Sequence, residues 1–177
     1  MILSGSLWFG PNYEGIRFFL SKVWPELRFE KRLIIAGARP NGELKALVRD
    51  DSEIELVDTP ADMRPYMHQA DLALAPVFSG AGMKVKVADA LSQYLPVAGT
   101  PHAFIGYEIE NGTDSFVCAT AEDFISVLGG YRALSPEIRR KTRNAARSLY
   151  LRAYSQQAGT ELFRQSIAGI SGKETGK

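Results

Sequence analysis

Short, continuous apolar runs alternate with amphipathic stretches along most of the chain. Residues 33–37 and 72–77 are typical of strands that are buried on both faces of a parallel sheet. Between such runs, apolar residues recur with the spacing of one helical face, as they do over residues 16–27. This alternation predicts an α/β fold, in which a doubly wound, Rossmann-like parallel sheet carries helices on both faces.

The order of elements follows from the same pattern. Strands are predicted at residues 1–3, 33–37, 54–57, 72–77, 96–99 and 116–119. Helices are predicted over residues 16–27, 43–48, 61–69, 83–94 and 121–128, with final helices that run to about residue 170. Asn12, Thr120 and Ser135 are the predicted N-caps, because short polar side chains accept hydrogen bonds from the free N–H groups of a first helical turn.

Length and composition fit one globular domain. The chain has 177 residues, of which 45% are hydrophobic, and this excludes intrinsic disorder for the bulk of it. We expect a domain at residues 1–170 and a disordered polar tail at residues 171–177. The abrupt opening strand fits a domain cut from a longer chain and a short natural protein equally well.

Charge and cysteine content exclude several classes of protein. Lys and Arg number 21 against 20 Asp and Glu, and a net charge of +1 argues against a nucleic-acid-binding protein. Cys118 is the only cysteine, so no internal disulfide or cysteine-rich metal site is expected. The sequence shows no signal-peptide pattern and no run near the ~20 apolar residues of a membrane span, so we expect a cytoplasmic protein.

Glycine-containing loops follow several predicted strands, where ligands of open α/β sheets bind. One of them, Ser79-Gly80-Ala81-Gly82, joins a buried strand to a helix, so its N–H groups are expected to face an anion at the helix start. Lys84 and Lys86 are predicted in the first helical turn, where cations oppose the helix dipole unless an anion is bound. The alternative is a tight turn with two solvated lysines and a weak surface pair between Lys86 and Asp89.

A resemblance to a known family is carried by residues 75–91, whose sequence is APVFSGAGMKVKVADAL. This stretch resembles the donor-site signature of group-one glycosyltransferases of the GT-B fold. Residues 95–100 look like the family's G-x-P-V-V-x-T strand, with Tyr94 at the position of the usual glycine. Residues 5–15 and 111–116 are also similar to family segments, so the resemblance runs in order to about residue 155.

The resemblance implies one half of a GT-B enzyme, namely its C-terminal domain, which binds the nucleotide-sugar donor. The N-terminal acceptor-binding domain is absent from this chain, so the chain alone is expected to be inactive and its catalytic residues stay unassigned. The implied activity is hexosyl transfer in polysaccharide biosynthesis, with a nucleotide sugar as co-substrate and no metal cofactor.

Site residues follow from the resemblance by position. Lys84 and Lys86 are implied to contact the donor diphosphate, together with the backbone of Gly80, Ala81 and Gly82. Asp89 stands at the second glutamate of the family's E-x7-E motif, which implies hydrogen bonds to the ribose hydroxyls. Ala81 stands at the first glutamate, and this implies that the sugar contact made there is lost.

The histidines and a basic stretch offer further candidates. His102 follows a strand on the ligand side and is a candidate donor-binding residue, whereas His68 is expected to be a surface or packing residue. Two lone histidines do not make a metal site. A late helix carries Arg139, Arg140, Lys141, Arg143, Arg147 and Arg152. This stretch is interpreted either as a solvated helix face or as a peripheral contact with anionic lipid at the inner face of a membrane.

Two other functions stay open at this point. Ala81 and the altered loop over residues 99–106 also fit a degenerate, non-catalytic GT-B-like module for interaction or regulation. A nucleotide-sugar isomerase of the same architecture, such as a non-hydrolysing epimerase, is a third hypothesis. That class needs further acidic and histidine residues, which the sequence does not place.

Overall fold

The computed structural model describes the backbone of residues 1–171 and the side chains of residues 1–165. Within them, six parallel strands form one sheet in the order β3-β2-β1-β4-β5-β6. The strands are β1 (Ile2–Ser4), β2 (Leu33–Gly37), β3 (Ile54–Asp58), β4 (Ala73–Ala75), β5 (Val97–Gly99) and β6 (Phe116–Val117). The predicted doubly wound, Rossmann-like parallel sheet is confirmed.

Helices connect the strands and cover both faces of the sheet. They are α1 (Gly10–Phe18), α2 (Gly42–Val48), α3 (Arg64–His68), α4 (Val85–Ser92), α5 (Ala121–Ala133), α6 (Pro136–Leu149) and α7 (Gln156–Ser171). α1 continues through a π-helical turn, Phe19–Val23, into a 3₁₀ turn, Trp24–Glu26, so the predicted apolar face over residues 16–27 is one continuous helical surface. Its buried residues pack against the sheet on the same side as α5.

The two faces of the sheet are built from alternate residues of each strand. Leu3 and Ile35 belong to the core that lies beneath α1, α2 and α5. Their neighbours Ile2 and Ile34 belong to the core on the other face, beneath α3, α4 and α6. Because successive strand side chains point to opposite faces, strands that are apolar throughout give two cores, and this explains the continuous apolar runs.

The predicted caps are right at two helices and wrong at one. Thr120 caps α5 in a reciprocal capping box with Asp123, and Ser135 caps α6 by accepting from the N–H of Ile138. Asn12 is not an N-cap, because α1 begins earlier, at Gly10. Pro11 in the first turn has a fixed φ that suits a helix start, and this leaves the Asn12 side chain free for other contacts.

Two glycines allow the loops at the carboxyl end of the sheet to pack closely. A Cβ atom on Gly37 would lie 1.7 Å from the carbonyl oxygen of Gly5, and a Cβ atom on Gly15 would lie 1.8 Å from that of Pro76. Both distances are far below van der Waals contact, so a side chain at either position requires the backbone to move. The absence of a side chain thus fixes where the loops after β1 and β4 lie.

The predicted tail falls largely outside the described structure. Residues 172–177 lie outside the described residues, and Ser171 is the last residue of α7. The domain boundary at residue 170 stays a prediction. Among the described helices, none combines the length and the apolar character needed to cross a bilayer.

Candidate functional site

A cleft opens at the carboxyl end of the sheet, close to the point where the strand order reverses between β1 and β4. Open α/β sheets bind ligands at such a switch point. The cleft has a volume of about 410 Å³. It is lined by the ends of β1 to β3, by one residue each of α1 and α3, and by the start of α4: Ser4, Gly5, Asn12, Gly37, Ala38, Thr59, Pro60, Met63, Met67, Met83, Lys84, Val85, Lys86 and Asp89.

The loop between β4 and α4 turns its carbonyl groups towards a lysine. Gly80 and Gly82 have φ angles of 97° and 72°, a backbone conformation that glycine adopts readily. The ammonium of Lys84 is bonded to three consecutive carbonyl oxygens, at 2.8 Å from Gly80, 3.2 Å from Ala81 and 2.7 Å from Gly82. Lys84 is the N-cap residue of α4 and not part of its first turn. Its side chain therefore organises the loop in this structure.

Three residues that follow β5 donate hydrogen bonds to carbonyl groups of the same segment. Nε2 of His102 lies 2.7 Å from the carbonyl oxygen of Gly80, so this nitrogen donates the hydrogen bond. The buried hydroxyl of Thr100 donates to the carbonyl of Val77. The hydroxyl of Tyr107 donates to the carbonyl of Lys84 at 2.9 Å. All of these bonds use carbonyl groups of the loop as acceptors.

The N–H groups of Gly80, Ala81 and Gly82 have no acceptor among the described residues. The same is true of Val85 and Lys86 in the first turn of α4, where the N–H groups carry the positive end of the helix dipole. Side chains bind the carbonyl groups of this loop, and its N–H groups at residues 80–82 stay free within the described structure. Such a loop is suited to binding an anion. That the loop faces an anion stays a prediction from the sequence.

Lys86 lines the cleft and comes from the first turn of α4. Its ammonium donates to Oδ1 of Asn12 at 2.7 Å, and Nδ2 of Asn12 donates to the carbonyl of Ser6 at 3.0 Å. Burial of the ammonium, and next the nearby charge of Lys84, lower the pKa of Lys86 to about 8. The alternative of a surface pair between Lys86 and Asp89 is wrong, because the amide of Asn12 is the partner of Lys86. An ammonium that has only a neutral partner is available to an anion.

Asp89 lies one helical turn after Lys86 and lines the same cleft. Its carboxylate has no hydrogen-bond or ion-pair partner among the described residues. Loss of hydration raises the pKa of Asp89 above its usual value. A carboxylate that lies free at the edge of a cleft accepts hydrogen bonds from ligand hydroxyl groups.

The structure gathers most of the predicted site residues and separates one from the cleft. Lys84, Lys86 and Asp89 line the cleft, and residues 80–82 form the loop that leads into it. His102 does not line the cleft and contacts it only through the carbonyl of Gly80. Asn12 was missed as a site residue. Its place in a glycine-containing loop after β1, beside the switch point, is the signal that would have found it.

Part of the basic stretch in α6 is structural. A guanidinium N–H of Arg143 donates to the carbonyl of Ala70 at 3.1 Å, and one of Arg147 donates to that of Ser92 at 2.6 Å. The guanidinium of Arg147 also lies over the rings of Tyr94 and Tyr150. These two arginines hold α6 against α4 and against the segment between α3 and β4. The membrane-contact hypothesis therefore rests on the other basic residues and stays a prediction.

A search for metal sites covers the described side chains. Within residues 1–165, no group of three or more His, Cys, Asp or Glu side chains is arranged to hold a metal ion. Cys118 is buried directly after β6, and burial raises the pKa of its thiol to about 12. Lys84 and Lys86 supply positive charge to the cleft, together with the free N–H groups of the first turn of α4.

Comparisons with known proteins identify the family and the fold. The family model for Glycosyl transferases group 1 matches residues 1–129. No curated protein sequence matches the chain. Among solved structures, the chain is similar to a glycosyltransferase from Rickettsia africae ESF-5, with a TM-score of 0.77 and 13% identity over 99% of this chain and 48% of that one.

Two further structures show the same fold. Alr3699/HepE of Anabaena, solved in complex with UDP-glucose, has a TM-score of 0.76 and 11% identity over 95% of this chain and 48% of that one. The C-terminal domain of a group 1 glycosyl transferase, LpcC of Francisella tularensis, has a TM-score of 0.67 and 12% identity over 88% of this chain and 85% of that one. The chain thus spans about half the length of the first two proteins and most of the isolated C-terminal domain. On the family match over residues 1–129, it belongs to the group 1 glycosyl transferases.

Proposed function

We propose that this chain is the donor-binding half of a hexosyl-transferring glycosyltransferase and binds a nucleoside diphosphate sugar in the cleft at the start of α4. One observation carries the proposal. Lys84 and His102 bind the carbonyl groups of the β4–α4 loop, and the N–H groups of residues 80–82 stay free among the described residues. The ammonium of Lys86, at the start of α4, has the neutral amide of Asn12 as its partner in the cleft. The family supports transferase chemistry, and the Anabaena complex supports a nucleotide-sugar donor.

The diphosphate is the part of the donor that this arrangement suits. As the glycosyl group leaves, negative charge grows on the diphosphate oxygens. N–H groups and an ammonium that are already fixed in place stabilise this charge without first having to reorganise. Asn12 holds Lys86 in place through a neutral contact, so it does not cancel the positive charge that the diphosphate meets.

The nucleoside fits the remaining walls of the cleft. The carboxylate of Asp89 is proposed to accept hydrogen bonds from the ribose hydroxyls. Pro60 and Met63, which follow β3, and Met67 of α3 give the cleft an apolar wall, against which a base can pack. Ala81 leaves the hexose without the glutamate contact that the family resemblance implies at that position.

The acceptor and the groups that activate it are proposed to come from a second domain. The chain covers 48% of the Rickettsia africae enzyme, so transfer by this chain alone is not expected. Binding of the donor is proposed to need no metal, because Lys84, Lys86 and the helix start supply the positive charge that a divalent cation supplies elsewhere.

Thermal unfolding of the chain with UDP, GDP and ADP, each with and without EDTA, tests the proposal. A ligand at a hundredfold excess over its Kd stabilises a protein by about 2.7 kcal/mol. For a chain of this size, that is an increase in Tm of roughly 5–10 °C. We expect such an increase with one nucleotide, unchanged by EDTA. An increase that EDTA abolishes would contradict metal-independent binding.

A second candidate function is a non-catalytic module of the same fold. The ammonium of Lys84 is already bonded to three loop carbonyls, and Ala81 replaces an acidic family residue. Both features fit a site that no longer turns over a donor. This candidate predicts that none of the three nucleotides raises Tm, so the same experiment decides between the two functions.

A further inference from the structure

An exposed aromatic and cationic pair stands beside the cleft and is not used by the proposed donor site. The guanidinium of Arg39 lies 4.6 Å from the ring centroid of Trp8, and the ring of Phe9 meets that of Trp8 edge to face at 6.1 Å. Trp8 is 53% exposed, although indole is among the most apolar surfaces that a protein can expose. We call Trp8 and Arg39 the rim pair.

The backbone at the rim pair is strained. Arg39 and Thr59 both have left-handed backbone conformations, with φ of 55° and 51°. The N–H of Arg39 donates to Oγ1 of Thr59 at 3.2 Å, and the hydroxyl of Thr59 donates to Asp58 at 2.8 Å. Such strain costs of order 1–3 kcal/mol per residue and tends to cluster at binding sites.

The guanidinium of Arg39 has no acidic partner among the described residues. The carboxylate of Asp58, its neighbour in this network, is bonded to the ammonium of Lys45 at 3.0 Å. The five N–H donors of Arg39 are thus free, in a geometry that matches a carboxylate or a phosphate in a bidentate way.

The rim pair lies next to the cleft. The N–H of Leu7 donates to the carbonyl of Ala38 at 2.9 Å, so the loops that carry Trp8 and Arg39 are joined one residue away from each. Ala38 and Gly5 in these loops line the cleft. A molecule on the rim pair would therefore lie next to a donor in the cleft.

We propose that the rim pair is a second saccharide subsite, which binds a sugar ring that carries a carboxylate or phosphate group. The indole face packs against the C–H groups of the ring, and Arg39 pairs with the anionic group. The inference rests on the proposed function in one respect, that the saccharide is the acceptor or a neighbouring part of it. Binding itself does not depend on a nucleotide.

The test follows the indole N–H signals of the ¹⁵N-labelled chain by NMR during titration with a hyaluronan tetrasaccharide. Chitotetraose is the neutral counterpart, and mannose 6-phosphate distinguishes phosphate from carboxylate. Trp24 is an internal reference, because it is 5% exposed and its indole N–H donates to Asp51. We expect the Trp8 signal to shift with at least one anionic saccharide while the Trp24 signal stays in place.

Variants assign the shift to the rim pair. Trp8→Ala and Arg39→Asn are each expected to weaken binding of the anionic saccharide by about tenfold or more, measured by calorimetry. Asparagine tolerates the left-handed backbone of Arg39, so Arg39→Asn removes the charge without adding strain. Phe163→Ala and Arg140→Ala, exposed residues on α7 and α6, are the matched controls and are expected to change nothing.

The subsite would be overturned by the absence of a Trp8 shift with either anionic saccharide, by an equal shift with chitotetraose, or by unchanged affinity in Trp8→Ala. A Trp8→Ala variant that loses nucleotide affinity instead would place the indole in the donor site and also overturn it. UDP, GDP and ADP are titrated on the same sample. Failure of the nucleotides alone would count against the proposed function and leave the saccharide result to stand by itself.

Discussion

The ammonium of Lys86 and the amide oxygen of Asn12 lie 2.7 Å apart, although the two residues are 74 positions apart in the chain. They come from α4 and α1, which follow the adjacent strands β4 and β1. The contact crosses the point where the strand order of the sheet reverses. It fixes a cation in the cleft and gives it a partner without charge.

Asn12→Ala should weaken both folding and nucleotide binding. It leaves the partly buried ammonium of Lys86 without a partner, at a cost of about 1–3 kcal/mol. We expect Tm to fall by several degrees and nucleotide affinity to fall by about tenfold. Asn12→Asp should instead raise Tm and still weaken binding, because a carboxylate stabilises Lys86 and repels the diphosphate. Asn144→Ala, an exposed asparagine of α6, is the control; equal nucleotide affinity in all four proteins would contradict the role of Asn12.

Lys86 should make stability depend on pH in the alkaline range. Its pKa is about 8 in the folded chain and close to the ordinary 10.5 in the unfolded chain. Between these values the unfolded chain binds more protons, so this group adds stability as pH rises from 8 towards 10.5 and loses it as pH falls through 8.

Urea unfolding of the wild type and Lys86→Met at pH 7.5, 9 and 10 measures this contribution. The difference between the two proteins cancels the titration of groups that they share. We expect the wild type to gain of order 1–3 kcal/mol relative to the variant over this range. A constant difference, or one of opposite sign, would show that Lys86 has an ordinary pKa.

Replacing Tyr94 with glycine should give a more stable chain than replacing it with alanine, although alanine is usually the more stabilising of the two. The φ of Tyr94 is 61°, in the left-handed region, at the position where the family resemblance places glycine. Tyr94→Gly and Tyr94→Ala both remove the ring that lies 5.4 Å from the Arg147 guanidinium, so their difference isolates the backbone. We expect the glycine variant to be more stable by about 1 kcal/mol in urea unfolding. An alanine variant of equal or greater stability would count against strain at this position.

Gly37→Ala should disrupt the loop that positions Gly5 at the cleft. The new Cβ would lie 1.7 Å from the carbonyl oxygen of Gly5. We expect a loss of about 2 kcal/mol or more in the free energy of unfolding, with weaker nucleotide binding. Gly129→Ala in α5, where a Cβ meets no atom within 4 Å, should stabilise the chain by about 0.5–1 kcal/mol. If both variants behaved alike, the close approach of the two loops would not be required.

The strands of the sheet could be predicted from the sequence because the apolar pattern that defines each strand is local. Runs such as residues 33–37 show both the strand and its burial on two faces, and β2 spans these same residues. Caps with a short polar side chain next to a helical pattern, as at Thr120 and Ser135, were equally readable. At Asn12 the same rule failed, because α1 begins earlier, at Gly10, with Pro11 in its first turn.

The site depends on contacts that the sequence does not display. The partner of Lys86 is set by the pairing of β1 with β4, so spacing along α4 suggested Asp89 instead of Asn12. Lys84 was predicted in a helical turn, yet α4 begins one residue later and the side chain folds back on residues 80–82. His102 follows β5 at the carboxyl end of the sheet, as predicted. Its side chain bonds to the carbonyl of Gly80 and does not line the cleft.

Isothermal titration of the wild type, Lys86→Met and Lys31→Met with the nucleoside diphosphate that most raises Tm tests the central claim. Lys31 is the matched control, because it is also partly buried and its ammonium donates to the carbonyls of Trp24 and Leu27. It precedes β2 and therefore lies at the amino end of the sheet, away from the cleft. We predict that Lys86→Met lowers the affinity by about tenfold or more, whereas Lys31→Met leaves it unchanged. Equal affinity in the wild type and Lys86→Met would show that the diphosphate does not bind at the start of α4.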